Sequence, residues 1–480
     1  MMQLPAIDYA VLAPLIILVA TGLLVLLVDL VSRQAARNVL YGLGVAGCAA
    51  SFAASLPLSG RTVTTLSGAF AADRFSWGFD ALLLLTLAVT FLLSSLKRAE
   101  DGGSPGSYAA LLIFCTVGGM IMAGAANLIG IFLGVELLSL ALYILAGTGY
   151  PRQASQEAAL KYVLLGSLAS GFLIFGSALL YGAAGSIALA DLATAAASGA
   201  PLFVAGFGLW LVGIAFKLAL SPFHTWTPDV YEGSPLAVTA FMAVAVKAAT
   251  FSVLARFIYT VFQHDSAALI PVWALAILSM LVGNFGAVRQ GNLKRLLAFS
   301  SIAQAGYIVL ALSGVGSKGL STMLFYLIAY GFMNLGAFAT ISLLGDGGEE
   351  YVDIEGYRGL FFRRPWVATW MTIFFASLAG IPATAGFIGK LLLLEQALGG
   401  GPWGIAMAAT LILGTLVSFY VYFKVIYQMF LPAQGQAPQF AGNAAASWVA
   451  IAVGATGVML LGIVPQAFYL AQPYLAAASR

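Results

Sequence analysis

Apolar runs long enough to cross a bilayer follow one another along almost the whole chain. That succession decides what the chain can become. A spanning helix needs about 20 mostly apolar residues, and VLAPLIILVATGLLVLLVDLV, near the N-terminus, already meets that length. By the same rule the runs fall at about 10–32, 37–57, 79–97, 108–125, 127–149, 158–182, 202–226, 235–262, 268–289, 294–314, 318–345, 366–398, 404–430 and 446–471. The expected fold is an all-α membrane protein of about fourteen transmembrane helices. The weakest boundary is between the fourth and fifth runs, which only Ala126 and Asn127 separate.

Composition agrees with a lipid solvent. The 480 residues are 61% hydrophobic and 8% charged, where a soluble domain carries about 25% charge. The first run lacks a basic leader and a small-residue cleavage signature, so it reads as a span and not as a removable signal. A net charge of +3 gives no argument for nucleic acid. The two cysteines, Cys48 and Cys115, lie inside apolar runs without metal-ligand spacing. They read as buried thiols, not as a disulfide or cluster ligands.

Loop charges set an orientation. With the N-terminus outside, Arg33, Arg37, Lys97, Arg98, Arg152, Arg289, Lys294, Arg295, Arg358, Arg363 and Arg364 fall on the inner side. Arg61, Arg74, Arg256, Lys318 and Arg480 fall on the outer side. That bias follows the positive-inside rule, expects both termini outside, and fits an even number of spans.

A few charges remain at membrane depth: Glu136 in LIGIFLGVELLSLALYIL, Lys217 in AFKLALSPFH, Lys247 in LAVTAFMAVAVKAATFSVLARF and Lys390 in GFIGKLLLLEQAL. Such charges cost at least ~2.5–3.5 kcal/mol at the bilayer centre, normally face the bundle interior, and mark ion or proton paths. Lys161, in EAALKYVLLGSL, sits nearer an interface, where either snorkelling or a relay role fits. Lys424 lies near a helix end, where snorkelling suffices, and Glu395 and Asp29 also sit toward helix ends and are set aside.

Two runs are interrupted beside a lysine. Pro222 follows Lys217, and Pro382 with its surrounding glycines precedes Lys390. Proline removes a backbone donor and clashes with the preceding turn. Broken helices at membrane depth survive only where freed groups meet protein or water, and breaks in corresponding places of two halves point to a transport site. The breaks fall in runs seven and twelve. A five-helix unit inverts on repetition, so two inverted five-helix repeats, helices 4–8 and 9–13, are expected. The chain is then a single membrane domain over 1–480: helices 1–3 in 1–107, a first repeat in 108–262, a second in 268–430 and a last helix in 446–471.

The chemistry available is proton or ion movement. There is no nucleotide loop, hydrolytic triad or haem ligand pair, and His224 and His264 are too separated for a metal site. Desolvation weakens a lysine's hold on its proton, and an approaching carboxylate restores it. Lysines in a bundle can therefore load and release protons. Glu136 is expected as the counter-charge of Lys217. His224, two residues past the proline, reads as a hydrogen-bonding residue or a proton shuttle.

The stretches TPDVYEGSPLAVTAFMAVAVK, GNLKRLLAFSSIAQAGY and SLAGIPATAGFIGK resemble the subunit N family of bacterial proton-pumping NADH–quinone oxidoreductases, respiratory complex I. The resemblance covers essentially the whole chain, and PDVYEGSP favours subunit N over its antiporter-like sisters. It implies a fourteen-helix fold with inverted repeats and broken helices 7 and 12. It further implies a polar axis of Glu136, Lys161, Lys217, Lys247 and Lys390. In that picture Glu136 modulates Lys217, Lys161 and Lys247 relay protons, and Lys390 faces the outward exit. His224, Gln304 and Lys294 are auxiliary candidates. Members of the family often carry histidine where this chain has Gln304; glutamine cannot titrate, which leaves a water-bridged relay at that point.

The resemblance also implies no cofactor or metal in this chain, with NADH, FMN, iron–sulfur clusters and quinone handled by other subunits. The partners it implies are the other membrane-arm subunits of complex I, sister antiporter-like subunits among them, with lipid and protons. The expected location is the bacterial plasma (inner) membrane, multi-pass, with both termini periplasmic. A subunit of an Mrp-type cation/proton antiporter shares the lysine axis and needs no redox partner. A scaffold bundle with vestigial charges is a third reading.

Overall fold

The computed structural model describes residues 7–32, 37–95, 103–149, 151–262, 267–313, 317–346, 349–432, 439–440 and 444–466. Arg33, Lys97, Arg98, His264 and Arg480 lie outside the described residues.

Lipid offers no partner for backbone groups, so each apolar run closes its hydrogen bonds within itself as a helix. The helices are α1 (Tyr9–Val31), α2 (Arg37–Ser55), α3 (Arg74–Ser94), α4 (Pro105–Gly124), α5 (Leu128–Ala146) and α6 (Gln153–Ala184). A short surface helix α7 (Leu189–Ala197) precedes α8 (Pro201–Leu218) and α9 (Trp226–Gly233). Then come α10 (Leu236–Phe262), α11 (Ile270–Val288), α12 (Leu293–Leu312) and α13 (Lys318–Ser342). The chain ends with α14 (Pro365–Ala379), α15 (Ala385–Leu398), α16 (Gly401–Phe430) and α17 (Ala444–Ile463). Thirteen helices among the described residues are long and apolar enough to cross a membrane. The broken pair α14–α15 makes a fourteenth crossing.

Local signals fix the boundaries. Asn127 caps α5 by accepting from Gly130 N, so the weak boundary at 126–127 is a true break between spans. The third span starts at Arg74 and not near residue 79, because Asp73 and Ser76 form a reciprocal cap there. The seventh run ends at Leu218, and a separate half-helix, α9, follows the break. Among the described residues the short strands lie in loops: Val63–Thr65 pairs antiparallel with Phe70–Ala72, and Leu344–Asp346 pairs with Glu349–Glu350 and Gln439–Phe440.

Burial is graded from the middle outward. The central stretch of α10 is wholly buried, and α12 and α13 nearly so, whereas α1, α2, α6 and α16 expose most of theirs. The exposed apolar belt includes Leu133, Leu140 and Ile144 on α5 and Leu164, Leu168 and Phe175 on α6. Such a belt suits lipid or a neighbouring membrane subunit. Cys48 and Cys115 are buried and unbonded to each other.

Close helix contact rests on glycine at α6–α8. A Cβ on Gly176 would lie 2.3 Å from Trp210 N and 2.8 Å from Gly206 O, and one on Gly213 would lie 2.7 Å from Leu173 Cβ. Small residues let helices meet at backbone distance, where packing replaces the missing hydrophobic drive. Gly176→Ala should therefore force α6 from α8 and cost ~1–3 kcal/mol of stability. Gly171→Ala, which meets nothing within 4 Å, is the control. Equal melting temperatures for the two variants in detergent would refute this account of the contact.

Candidate functional site

The two breaks are built alike. α8 ends at Ala219, which has a left-handed backbone (φ 59°), and Leu220 N returns to Ala215 O at 2.8 Å. α14 ends at Gly380 (φ 94°), and Ile381 N returns to Ala376 O at 3.0 Å. Each turn is followed by a proline, which cannot rejoin the helix. Both half-helices thus end inside the bundle with orphan carbonyls and the negative end of a helix dipole.

A lysine meets each of those ends. Lys247, from α10, donates to Leu218 O at 2.9 Å. Lys390, from α15, donates to Leu378 O at 3.1 Å and Ala379 O at 2.9 Å. Their exposures are 2% and 6%, so the ammonium groups have only protein to solvate them. No described ion pair includes either one. The stretch before Lys247, Met242–Val246, is a π-helical turn. Such turns are frequent at functional sites, and an added residue of this kind re-aims the side chains after it.

Lys217, 3% exposed, occupies an aromatic cage. Its Nζ donates to Tyr143 Oη at 3.2 Å and lies 5.1 Å from the Tyr143 ring centroid and 5.5 Å from that of Tyr162. Cation–π contact is at its strongest in a desolvated site. Tyr162 stacks on Trp226, whose Nε1 donates to Phe216 O at 3.1 Å. The break itself therefore supplies a wall of the cage.

The expected direct Glu136–Lys217 pair is not formed. Glu136 is half-buried, and its Oε1 accepts from Ser170 Oγ on α6. The reason is spacing. Tyr143 lies two turns from Glu136 on the same side of α5, about 10 Å along the axis. Lys217 packs at the Tyr143 level, and Ser170 is the nearer partner for the carboxylate.

Lys161 stands apart from these three. At 39% side-chain exposure it pairs with Glu157 at 2.6 Å and Asp229 at 2.7 Å. Asp229 also takes Arg295 at 2.7 Å, and Arg295 takes Glu232 at 2.8 Å. Lys294, expected only as an auxiliary, is buried and bonds Glu350 at 2.7 Å and Ser234 O at 2.5 Å. Glu350 in turn accepts from Leu236 N at 2.7 Å. This ionic cluster ties α6, α9 and α10 to α12 and the loop after α13. Its acidic members went unassigned in the sequence. The readable signal was Asp229 and Glu232 three apart in PDVYEG, which puts both on one side of a helix.

Between the breaks the polar residues are neutral. Gln304 is buried and accepts from Tyr326 Oη at 2.6 Å. Ser300 shares a hydrogen bond with Tyr422, Asn284 donates to Tyr307 Oη at 2.8 Å, and Lys390 Nζ lies 5.4 Å from the Tyr307 ring. Tyr162 Oη, His224 Nδ1 and Thr227 Oγ1 are buried without a protein partner, the condition in which a bound water completes a polar chain. His224 is half-buried beside an exposed Pro222. Among the described residues no group of three His, Cys, Asp or Glu is arranged to hold a metal.

Comparison with known proteins gives a consistent match. Residues 125–416 match a family described as NADH:quinone oxidoreductase/Mrp antiporter, TM. NADH-quinone oxidoreductase subunit N 1 of Symbiobacterium thermophilum is 40% identical over 478 residues, 95% of this chain and 96% of that protein. Subunit N of Trichlorobacter lovleyi is 39% identical over 466 residues, covering 96% and 95%. A chain of respiratory complex I from Thermus thermophilus with bound aureothin superposes at TM-score 0.82, with 35% identity, covering 97% of this chain and 99% of that one. A chain of the Mrp complex from Dietzia has TM-score 0.81 over 98% and 97%, and at 23% identity it shows a shared fold alone.

Burial alone would raise the Glu350 carboxyl, but the Lys294 ammonium, with Arg152 and Leu236 N, outweighs it and holds the group below the usual carboxylate range. A depressed group adds stability above its unfolded pKa, about 4.3, and loses it as pH falls through the folded value. The Lys294 tie is therefore intact at neutral pH and is lost as pH falls through the folded value. Glu350→Gln leaves Lys294 buried without an anion, and such a loss costs ~3–5 kcal/mol. A lowered melting temperature at pH 7, partly restored by Glu350→Gln with Lys294→Met, is expected. A single variant as stable as the parent refutes the tie.

Proposed function

The chain belongs to the NADH-quinone oxidoreductase subunit N family, and on that premise we propose the route by which protons cross it. It is a proton-translocating membrane-arm subunit of that enzyme, working beside the other membrane-arm subunits. In our reading NADH, FMN, iron–sulfur clusters and quinone belong to those other subunits, and this chain only moves protons.

The route runs through Lys217 and Lys247, flanked by Glu136 and Lys161, in a first repeat over 108–262, then past Gln304 to Lys390 in a second over 268–430. The observation that carries it is the pair of buried lysines, Lys247 and Lys390, each held by half-helix carbonyls and not by a carboxylate. A charged ammonium and a neutral amine both donate hydrogen bonds to a carbonyl. Either protonation state therefore leaves the site satisfied, and no counter-charge is stranded when the proton leaves.

Glu136 acts at a distance in this scheme. It sits between exposed Leu133 and Leu140, where a neighbouring subunit can bear on it. Movement of its charge changes the field at Lys217 without breaking a salt bridge. Gln304 and the tyrosines around it orient water between Lys247 and Lys390. Lys161, tied to two carboxylates, serves chiefly to hold α6 to α9.

Loop charge supports an orientation in a bacterial inner membrane with both termini and the 183–201 loop outside, and 289–295 and 346–364 inside. A cysteine at exposed position 355 should resist impermeant label in intact cells; labelling there would invert the topology. Lys247→Ala and Lys390→Ala should leave assembly largely intact and cut proton pumping and coupled electron transfer ~10²-fold, the low end for a lost proton-transfer group. Lys161→Ala should cost much less. Normal pumping stoichiometry and turnover in Lys390→Ala membranes would rule the route out. Copurification separates the antiporter reading: redox subunits support complex I, and Mrp-type partners alone oppose it.

A further inference from the structure

A second charge cluster lies away from the lysines, where α10 meets α3 and α4. Asp73 caps α3 and holds Arg256 by two bonds, Nη1 to Oδ2 at 2.8 Å and Nη2 to Oδ1 at 3.1 Å. Arg256 also donates to Ala123 O at 2.9 Å, and its guanidinium stacks 4.9 Å from the Phe75 ring. The arginine's charge is thus committed to Asp73.

Asp80 follows Asp73 by seven residues, so it lies close to the same face of α3 and about 10 Å deeper. Both residues line one small cavity. Asp80 is half-buried, and its Oδ1 is shielded from solvent without a hydrogen-bond partner. No described ion pair includes Asp80. The other walls, from Val11, Pro14, Leu15, Ser55, Phe70 and Met120, carry no charge. The nearby hydroxyls are engaged elsewhere: Ser76 Oγ in the Asp73 cap and Ser55 Oγ with Trp77 Nε1 at 3.1 Å. The cavity leaves about 20 Å³ open to the centre of a water molecule, above the ~10–15 Å³ that one water requires.

A buried, ionised and unpaired carboxylate is strongly disfavoured. Asp80 can be satisfied by a proton on its own oxygen and one water. Asp8, Asp73, Asp80 and Arg256 are the titratable groups that face the cavity or contact its lining; Asp8 is exposed and caps α1 by accepting from Val11 N. Of the other three, Asp80 alone lacks a described charged partner.

We propose that Asp80 is a proton-binding site, exchanging one proton with water in this cavity at the end of the bundle marked by Asp73 and Arg256. Only an O–H bond forms and breaks, between a carboxylate oxygen and a water. On the orientation given above, that end faces outward, so the site releases protons on the outer side of helices 1–3. The inference rests on the proton-translocating reading of the chain.

The test uses the complete enzyme in inverted membrane vesicles, with protons pumped per NADH oxidised as the readout. Asp80→Asn keeps the shape and removes the titrating oxygen; it should lower that ratio while the chain still copurifies with its partners. Asp80→Glu should restore it. A parental ratio in Asp80→Asn overturns the site, and if Lys247→Ala in the same membranes still abolishes pumping, the wider reading survives that failure. If Asp80→Asn does not accumulate, Asp80→Glu decides: a carboxyl infrared band that shifts with pH supports the site, and an unchanging band overturns it. A sodium requirement removed by Asp80→Asn, with proton pumping intact, would assign the site to sodium and overturn the proposal.

Discussion

The structure depends on how an ammonium group is held where no water is in bulk supply. Lys247 and Lys390 each meet the carbonyl end of a half-helix. The helix break and the buried lysine are each unfavourable alone. A broken end exposes orphan carbonyls, and a buried lysine lacks solvation. Together each supplies what the other needs, because three donors meet oriented acceptors at the negative end of a dipole. This is why proline and lysine occur close together in space, though the lysine that meets the first break comes from the next span.

The first break serves two lysines in different ways. Its carbonyl end holds Lys247, and Trp226, just past the turn, completes the aromatic stack around Lys217. One local distortion therefore fixes both groups relative to each other. The further support is ionic. Asp229 and Glu232 on the second half-helix bind Arg295, and Glu350 binds Lys294 on the same span. The half-helix after the break is thus anchored to the span that carries Gln304. Motion at the first break is in this way mechanically tied to the polar residues leading to Lys390.

Much of the fold was legible because its cause is one-dimensional. Fourteen crossings follow from run length, and the two breaks follow from Pro222 and Pro382. Buried Lys217, Lys247 and Lys390 follow from charge at depth, since lipid excludes other positions. What could not be read depends on rotation about helix axes and on contacts between distant segments. Glu136 and Lys217 look like partners in sequence, yet seven residues of α5 separate the carboxylate from the cage at Tyr143. The π-helical turn before Lys247 arises in MAVAV, a stretch whose composition says nothing about hydrogen-bond register. The Lys294–Glu350 tie joins residues 56 apart, which no local pattern encodes. Arg256, in turn, reads as an outer loop charge until the fold brings it to Asp73.

The cations around the two breaks and the Asp73 cap are thus held in two ways. Lys161, Arg256, Lys294 and Arg295 meet carboxylates, and each such pair favours one charge state on both members. A pair of that kind resists proton loss, because the remaining anion would stand uncompensated. Those residues are suited to holding helices together. Lys217, Lys247 and Lys390 meet a phenol or carbonyls, partners that accept from either the charged or the neutral amine. Nothing in their immediate contacts fixes the proton, so a remote field can decide where it sits. A carboxylate moved into direct contact with any of them would strengthen the fold locally and, by the same interaction, arrest the proposed relay.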